Sequence, residues 1–219
     1  SLLMEAAKNR ILPDHLRWGL ALTTWVRSIL LDNEAISKEL VPILENLVPE
    51  LEEYLSAYLV AENPEARKFA AVFLMLKFPG TRPYIYSGMG RLTPLNRIDN
   101  LRDNWWRLFR PDEEHDVLGN YYEMRSSISE ALRILYPEAK LDSPDFLNET
   151  QKATATVEWA KLSSIGTAPN YLCQQVLKWA RRNHDDARIP EALHLAVKST
   201  RYSSTDKETS KFSKAAFQL

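Results

Sequence analysis

Apolar residues recur along most of this chain at spacings of three and four, the period of a helix that buries one face. After Asp14, read as an N-cap, LRWGLALTTWVRSILL puts Trp18, Leu22, Trp25, Val26 and Ile29 on one side. Its other faces are apolar too, which predicts burial between neighbours. Asn33 caps EAISKELVPILENL, with Ile36, Leu40, Ile43, Leu44 and Leu47 in register, and Pro42 predicts a kink or a stop near Leu40. Pro49 opens ELEEYLSAYLV, whose repeating positions are Leu51, Leu55, Tyr58 and Leu59. In NPEARKFAAVFLMLKFPG, Asn63 is the N-cap, Pro64 takes the first helical position and Pro79-Gly80 ends the run.

The second half reads the same way after a long connection. Asp99 starts a helix that Pro111 terminates, and Asp112 caps a longer one that stops at Pro137. Asp142 or Ser143 opens another to about Ser164, and further helices are predicted over about 170–183, about 189–202 and from Lys207 to Leu219. Only PYIY resembles a strand. The predicted class is all-α. Three helices close on an apolar-Pro step (Val48-Pro49, Phe78-Pro79 and Tyr136-Pro137), and short turns join helices in pairs. Stacked antiparallel hairpins, in the manner of a tetratricopeptide-like superhelix, follow from that layout, with an irregular helical bundle as the alternative. No 34-residue period is visible, and the Trp-Leu-Gly-Tyr spacing fails at Trp18-Gly19. The expected organisation is N-terminal hairpins over 1–79, an ordered loop over 80–98 and C-terminal hairpins over 99–219, all in one continuous superhelical domain. The stripe of Phe212, Ala216, Phe217 and Leu219 meets no stop signal, so the chain reads as a piece of a longer protein.

Composition narrows the function classes. A net charge of −1 supplies no basic excess for nucleic acid, and no apolar run is long enough to span a membrane. One cysteine, Cys173, excludes an internal disulfide and a cysteine-based metal cage. The four histidines form no metal spacing, so neither metal nor cofactor is expected. DEEHD (112–116) is explained by the preference for acidic residues in a helix's first turn. NHDDAR (183–188) places Asp185 and Asp186 beside His184 between helices, either as turn and cap residues or as an acid-base pair. SGMGRL does not continue as a phosphate-binding loop, and no nucleophile elbow occurs. Asn148-Glu149-Thr150 matches a glycosylation acceptor, but Asn148 is expected within a helix.

Two features stand out. GTRPYIYSGMGRLTPLNR (80–97) has no acidic residue, three arginines and a tyrosine pair. Aromatic-plus-arginine surfaces are typical of recognition sites, so Arg82, Tyr84, Tyr86 and Arg91 are candidate contacts; the alternative is that Tyr84 and Ile85 plug a gap between helix layers. Beyond the loop, Trp105 and Trp106 point about 100° apart on a helix. One belongs to the core. Trp106 either fastens the loop to successive helices or faces a ligand.

The phrases AAVFLMLKFPGTRPYI (70–85), IDNLRDNWW (98–106) and the stretch from Ala168 to Leu219 together resemble a family of large, uncharacterised bacterial proteins described as tetratricopeptide-like helical repeats. That resemblance implies a helical-repeat fold and favours an exported location. It implies no activity and no catalytic residues, and Arg107 stands where the family pattern has a cysteine. The expected function is therefore a scaffold segment that binds a protein or peptide. The alternative is the helical part of a hydrolase, for example a cell-wall-acting one, with its catalytic site elsewhere or around Asp185 and Asp186.

Overall fold

The computed structural model describes residues 2–79, 81, 83, 147–201 and 205–219, and among these every regular element is a helix and no strand forms. The chain divides into two compact units, Ser1–Leu108 with Ile165–Leu219, and Phe109–Ser164.

The first unit opens with α1 (Leu2–Lys8), a short helix that the apolar pattern does not announce. In α2 (Asp14–Leu30) the N-cap is Pro13, one residue earlier than the sequence suggested; Asp14 is the first helical residue and its carboxylate accepts from Arg17 at 2.8 Å. The predicted stripe is all buried, and Thr23, Thr24 and Ser28 are buried on its flanks. These hydroxyls are tolerated because Thr24 and Ser28 donate back to the carbonyls of Leu20 and Trp25, both at 2.7 Å.

A left-handed turn joins α2 to α3 (Glu34–Leu47). Asp32 has a φ of 55°, which lets the amide of Asn33 donate to Ser28 at 2.8 Å and that of Asp32 to Ile29 at 3.3 Å, closing both bonds of a Schellman cap. Lys68 braces the turn from outside, donating to the Ile29 carbonyl at 2.5 Å and to the Asp32 carboxylate at 2.6 Å. Asn33 then caps α3 by accepting from Ile36 at 3.3 Å, as its sequence position predicts. Pro42 neither stops nor splits α3, which runs on to Leu47. Its ring and Lys38, whose carbonyl loses its donor, are both exposed, so the lost bond faces the solvent side.

The apolar-Pro steps mark helix ends for a steric reason. Val48 and Phe78 adopt φ/ψ of −141°/74° and −128°/78°, outside the helical region that a following proline disfavours. Pro49–Leu51 forms a 3-10 turn before α4 (Glu52–Val60), and α5 (Pro64–Lys77) starts at the Asn63 cap, which accepts from Ala66 at 2.9 Å. Leu51, Leu55 and Tyr58 enter the core, but Leu59 is 39% exposed and does not. Each of α1 to α5 packs on the next in order. Trp25 of α2 meets Tyr58 of α4 edge-on at 5.5 Å, and the Tyr58 hydroxyl bonds Ser37 of α3 at 2.6 Å.

In the second unit, α6 (Glu149–Ser164) is the described helix. Asn148 is its cap and not part of it: Oδ1 accepts from the Gln151 amide and Gln151 Oε1 accepts from the Asn148 amide, both at 2.9 Å. That reciprocal pair is a capping box.

The first unit resumes at Ile165. Gly166 takes a φ of 82°, a left-handed turn residue before α7 (Ala168–Ala180). Then come α8 (Ile189–Ser199) and α9 (Thr209–Gln218). α7 packs against both, and it also packs against α5. Phe69 of α5 stacks on Trp179 of α7 with centroids 5.2 Å apart and planes 11° off parallel. Ion pairs flank this contact: Glu65 with Lys178 and Arg182 at 3.0 and 2.9 Å, and Lys77 with Glu191 of α8 at 2.5 Å.

Candidate functional site

Arg82, Tyr84, Tyr86, Arg91 and Trp106 lie outside the described residues, as do DEEHD and most of the 80–98 loop. The remaining sequence candidate is the segment around Asp185 and Asp186. Asp186 is 15% exposed and its carboxylate is saturated. Oδ1 accepts from the Arg188 amide at 3.0 Å and from Arg188 Nε at 2.9 Å; Oδ2 accepts from an Arg188 terminal nitrogen at 2.7 Å and from Trp179 Nε1 at 2.9 Å. Arg188, with help from its own amide and Trp179, outweighs partial burial and holds this carboxyl down at about 2. A group so strongly ionised is a poor proton donor or base near neutrality. Its work is structural: it fixes Arg188, whose guanidinium carbon lies 4.9 Å from the Phe69 ring centre.

Two further groups of the first unit, Cys173 and Asp206, are similarly occupied. Burial pushes the Cys173 thiol up to about 12, and its sulfur donates to the Ala196 carbonyl at 3.3 Å. A thiol in that state is inert. Asp206 is partly buried, yet it is kept below the usual carboxylate range by the Asn170 amide at 2.8 and 2.9 Å and by the Glu208 amide at 2.9 Å. No cluster of three His, Cys, Asp or Glu side chains suited to a metal occurs among the described residues. None of the described helices is long and apolar enough to cross a membrane.

What this region does present is a groove of about 810 Å³ formed by the end of α7, by α8 and by the last turn of α9. Its origin lies in the residue pattern of α8. Ile189, Ala192, Leu195, Ala196 and Ser199 are buried against α7 and α9. That leaves a second strip at helical spacing, Pro190, Leu193 and Val197, turned outward into the groove. Beside it runs a basic column, His194, Lys198 and Arg201, at spacings of four and three. Opposite stands Phe217, 82% exposed, with Ala216 buried beneath it.

Apolar spacing alone puts Phe217 in a single stripe with Phe212, Ala216 and Leu219. In the structure Ala216 is the buried member, while Phe217 and Leu219 line the groove at 82% and 52% exposure. Side chains 216 and 217 point about 100° apart, so both cannot face the core. The boundaries of α8 are legible in its sequence, but which of its apolar faces stays uncovered is not. LHLAV does show apolar residues on more than one face of a helix this short. Arg201, at the rim, makes no ion pair among the described residues.

Val197, Arg201 and Phe217 also border a shallower depression of about 520 Å³ floored by the hydroxyls of Thr200, Thr209 and Ser213. No protein-family model, no curated protein and no solved structure matches this chain.

Proposed function

We propose that this chain is a helical-repeat scaffold, built from stacked tetratricopeptide-like hairpins, that binds a protein or peptide and performs no catalysis in this segment. The groove between α7, α8 and α9 is the observation that carries the reading. An apolar floor with polar, charged edges is how protein surfaces recognise other chains. Two further facts support it. Successive helices of the first unit pack in chain order, as hairpin stacks do, and the carboxylate best placed for acid-base work is spent on Arg188 and Trp179.

The test is a selection from a displayed peptide library against the immobilised chain, repeated with Leu193→Glu/Val197→Glu and with Glu52→Lys/Glu53→Lys on an exposed face elsewhere. Peptides lost with the first pair and kept with the second place binding in the groove. Enriched peptides indifferent to both pairs would remove the groove from the proposal. The loop surface proposed from the sequence, Arg82, Tyr84, Tyr86 and Arg91 with Trp106, enters the same assay through Arg82→Glu/Arg91→Glu. A turnover of polymeric cell-wall substrate abolished by Asp186→Asn would overturn the non-catalytic reading.

A further inference from the structure

We propose that the shallower depression beside the groove takes the phosphate of a phosphorylated serine or threonine in the bound peptide, an inference that rests on the binding function proposed above. The depression lies between the end of α8 and one face of α9, and each side supplies a cation: Arg201 just after α8, and Lys214 on α9. Both are exposed, and neither makes an ion pair among the described residues. Lys211, on another face of α9, already pairs with Glu208 at 3.8 Å. The exposed hydroxyls of Thr205 and Ser210 line the same depression.

Charge and donor supply set the class of ligand. Asp206 is the one carboxylate among the described lining residues, and its oxygens are already met. They accept from the Asn170 amide at 2.8 and 2.9 Å, the Glu208 amide at 2.9 Å and the Thr209 hydroxyl at 3.3 Å. Little acceptor capacity is left there for a basic partner, whereas the N–H groups of Arg201 and Lys214 are open. A phosphomonoester brings a charge of about −1.5 to −2 and three acceptor oxygens, enough to engage both cations and a hydroxyl together. A carboxylate has one charge and two oxygens, and it matches this donor set less fully.

The neighbouring groove sets what flanks the phosphate. Val197, Arg201 and Phe217 line both hollows, so the two form one continuous surface. A phosphorylated residue held by Arg201 and Lys214 lays the adjoining residues of its chain along Leu193 and Val197. Phosphate and apolar recognition are thereby coupled in one peptide.

Pools of peptides of about nine residues, random except for a central phosphoserine, serine or glutamate, test this by retention on the immobilised chain. The phosphoserine pool is expected to be retained about tenfold or more over the serine pool, with apolar residues enriched beside the phosphate. Arg201→Gln/Lys214→Gln should erase that preference and, because both sites are exposed, leave the circular dichroism spectrum unchanged. Leu193→Gln/Val197→Gln should erase the apolar enrichment. Phosphoserine retained no better than serine or glutamate, with all three pools lost to Leu193→Gln/Val197→Gln, would overturn the phosphate class while leaving the groove as a docking site. A phosphoserine preference indifferent to Arg201→Gln/Lys214→Gln would overturn the assignment to this depression. Retention of no pool, or retention indifferent to both pairs, would overturn the groove as well. Co-sedimentation with phosphoinositide vesicles, lost with Arg201→Gln/Lys214→Gln and unaccompanied by any phosphoserine preference, would make the ligand a membrane headgroup and refute the proposal.

Discussion

Replacing Asp186 by Asn removes one negative charge and leaves the side chain's shape, so it isolates what that charge does for the fold. Arg188 and Trp179 hold the carboxyl at about 2 against an ordinary 3.8. At about 1.36 kcal/mol for each tenfold change in proton affinity, that difference corresponds to about 2 kcal/mol, and with the side chain only 15% exposed little of it is lost to solvent screening. A group whose folded value is depressed contributes stability above its unfolded value and forfeits it as pH falls toward the folded one. The wild-type advantage should therefore be full at pH 7 and close as the pH falls from about 4 to about 2. Urea unfolding followed by circular dichroism reads this directly. For a chain of this length the same loss lowers Tm by about 4–8 °C. Equal midpoints at pH 7, or a gap that widens on acidification, would show that the Asp186–Arg188–Trp179 network does not stabilise the fold as its geometry implies.

Phe69→Ala should cost about 3–5 kcal/mol, because the ring is 2% exposed and is shared by Trp179, Phe73 and Arg188; a loss under about 1 kcal/mol in urea would mean the α5–α7 stack is not a core contact. At Asp32 the left-handed φ of 55° predicts that Gly is tolerated or mildly stabilising, whereas Val costs about 1–2 kcal/mol; a Val variant as stable as the parent in thermal unfolding would contradict the turn geometry. Cys173, buried and pushed up to about 12, should react with a disulfide reagent only as fast as the chain opens, so rapid labelling of the native protein would refute its burial.

Much of the fold is legible in the sequence where a single residue type has one local job. Asn33 and Asn63 cap the helices they precede, and the apolar-Pro steps at Val48 and Phe78 end them, because each acts through atoms a few residues away. Misreadings arise where the outcome depends on which way a residue faces. Pro42 looks like a helix breaker until its ring is seen to face water, and Leu59 shares a stripe with buried residues yet lies at its edge. The groove is harder still to read, since its strip on α8 differs from the buried one only in having no neighbour over it. Nor does spacing reveal that Asp186 serves Arg188: either carboxylate of the Asp185-Asp186 pair would suit the sequence equally.

The contact between α5 and α7 joins residues more than a hundred positions apart, and Phe69 on Trp179 closes it with ion pairs at either end of α5. Residues 109–164 thus sit in the sequence as a guest sequence within a host whose own two stretches meet without it. Loop-closure entropy grows only with the logarithm of loop length, so the host tolerates a long insert nearly as well as a short one. A change in the number of residues between Phe69 and Trp179 therefore adds little closure entropy to the cost of bringing α5 and α7 together.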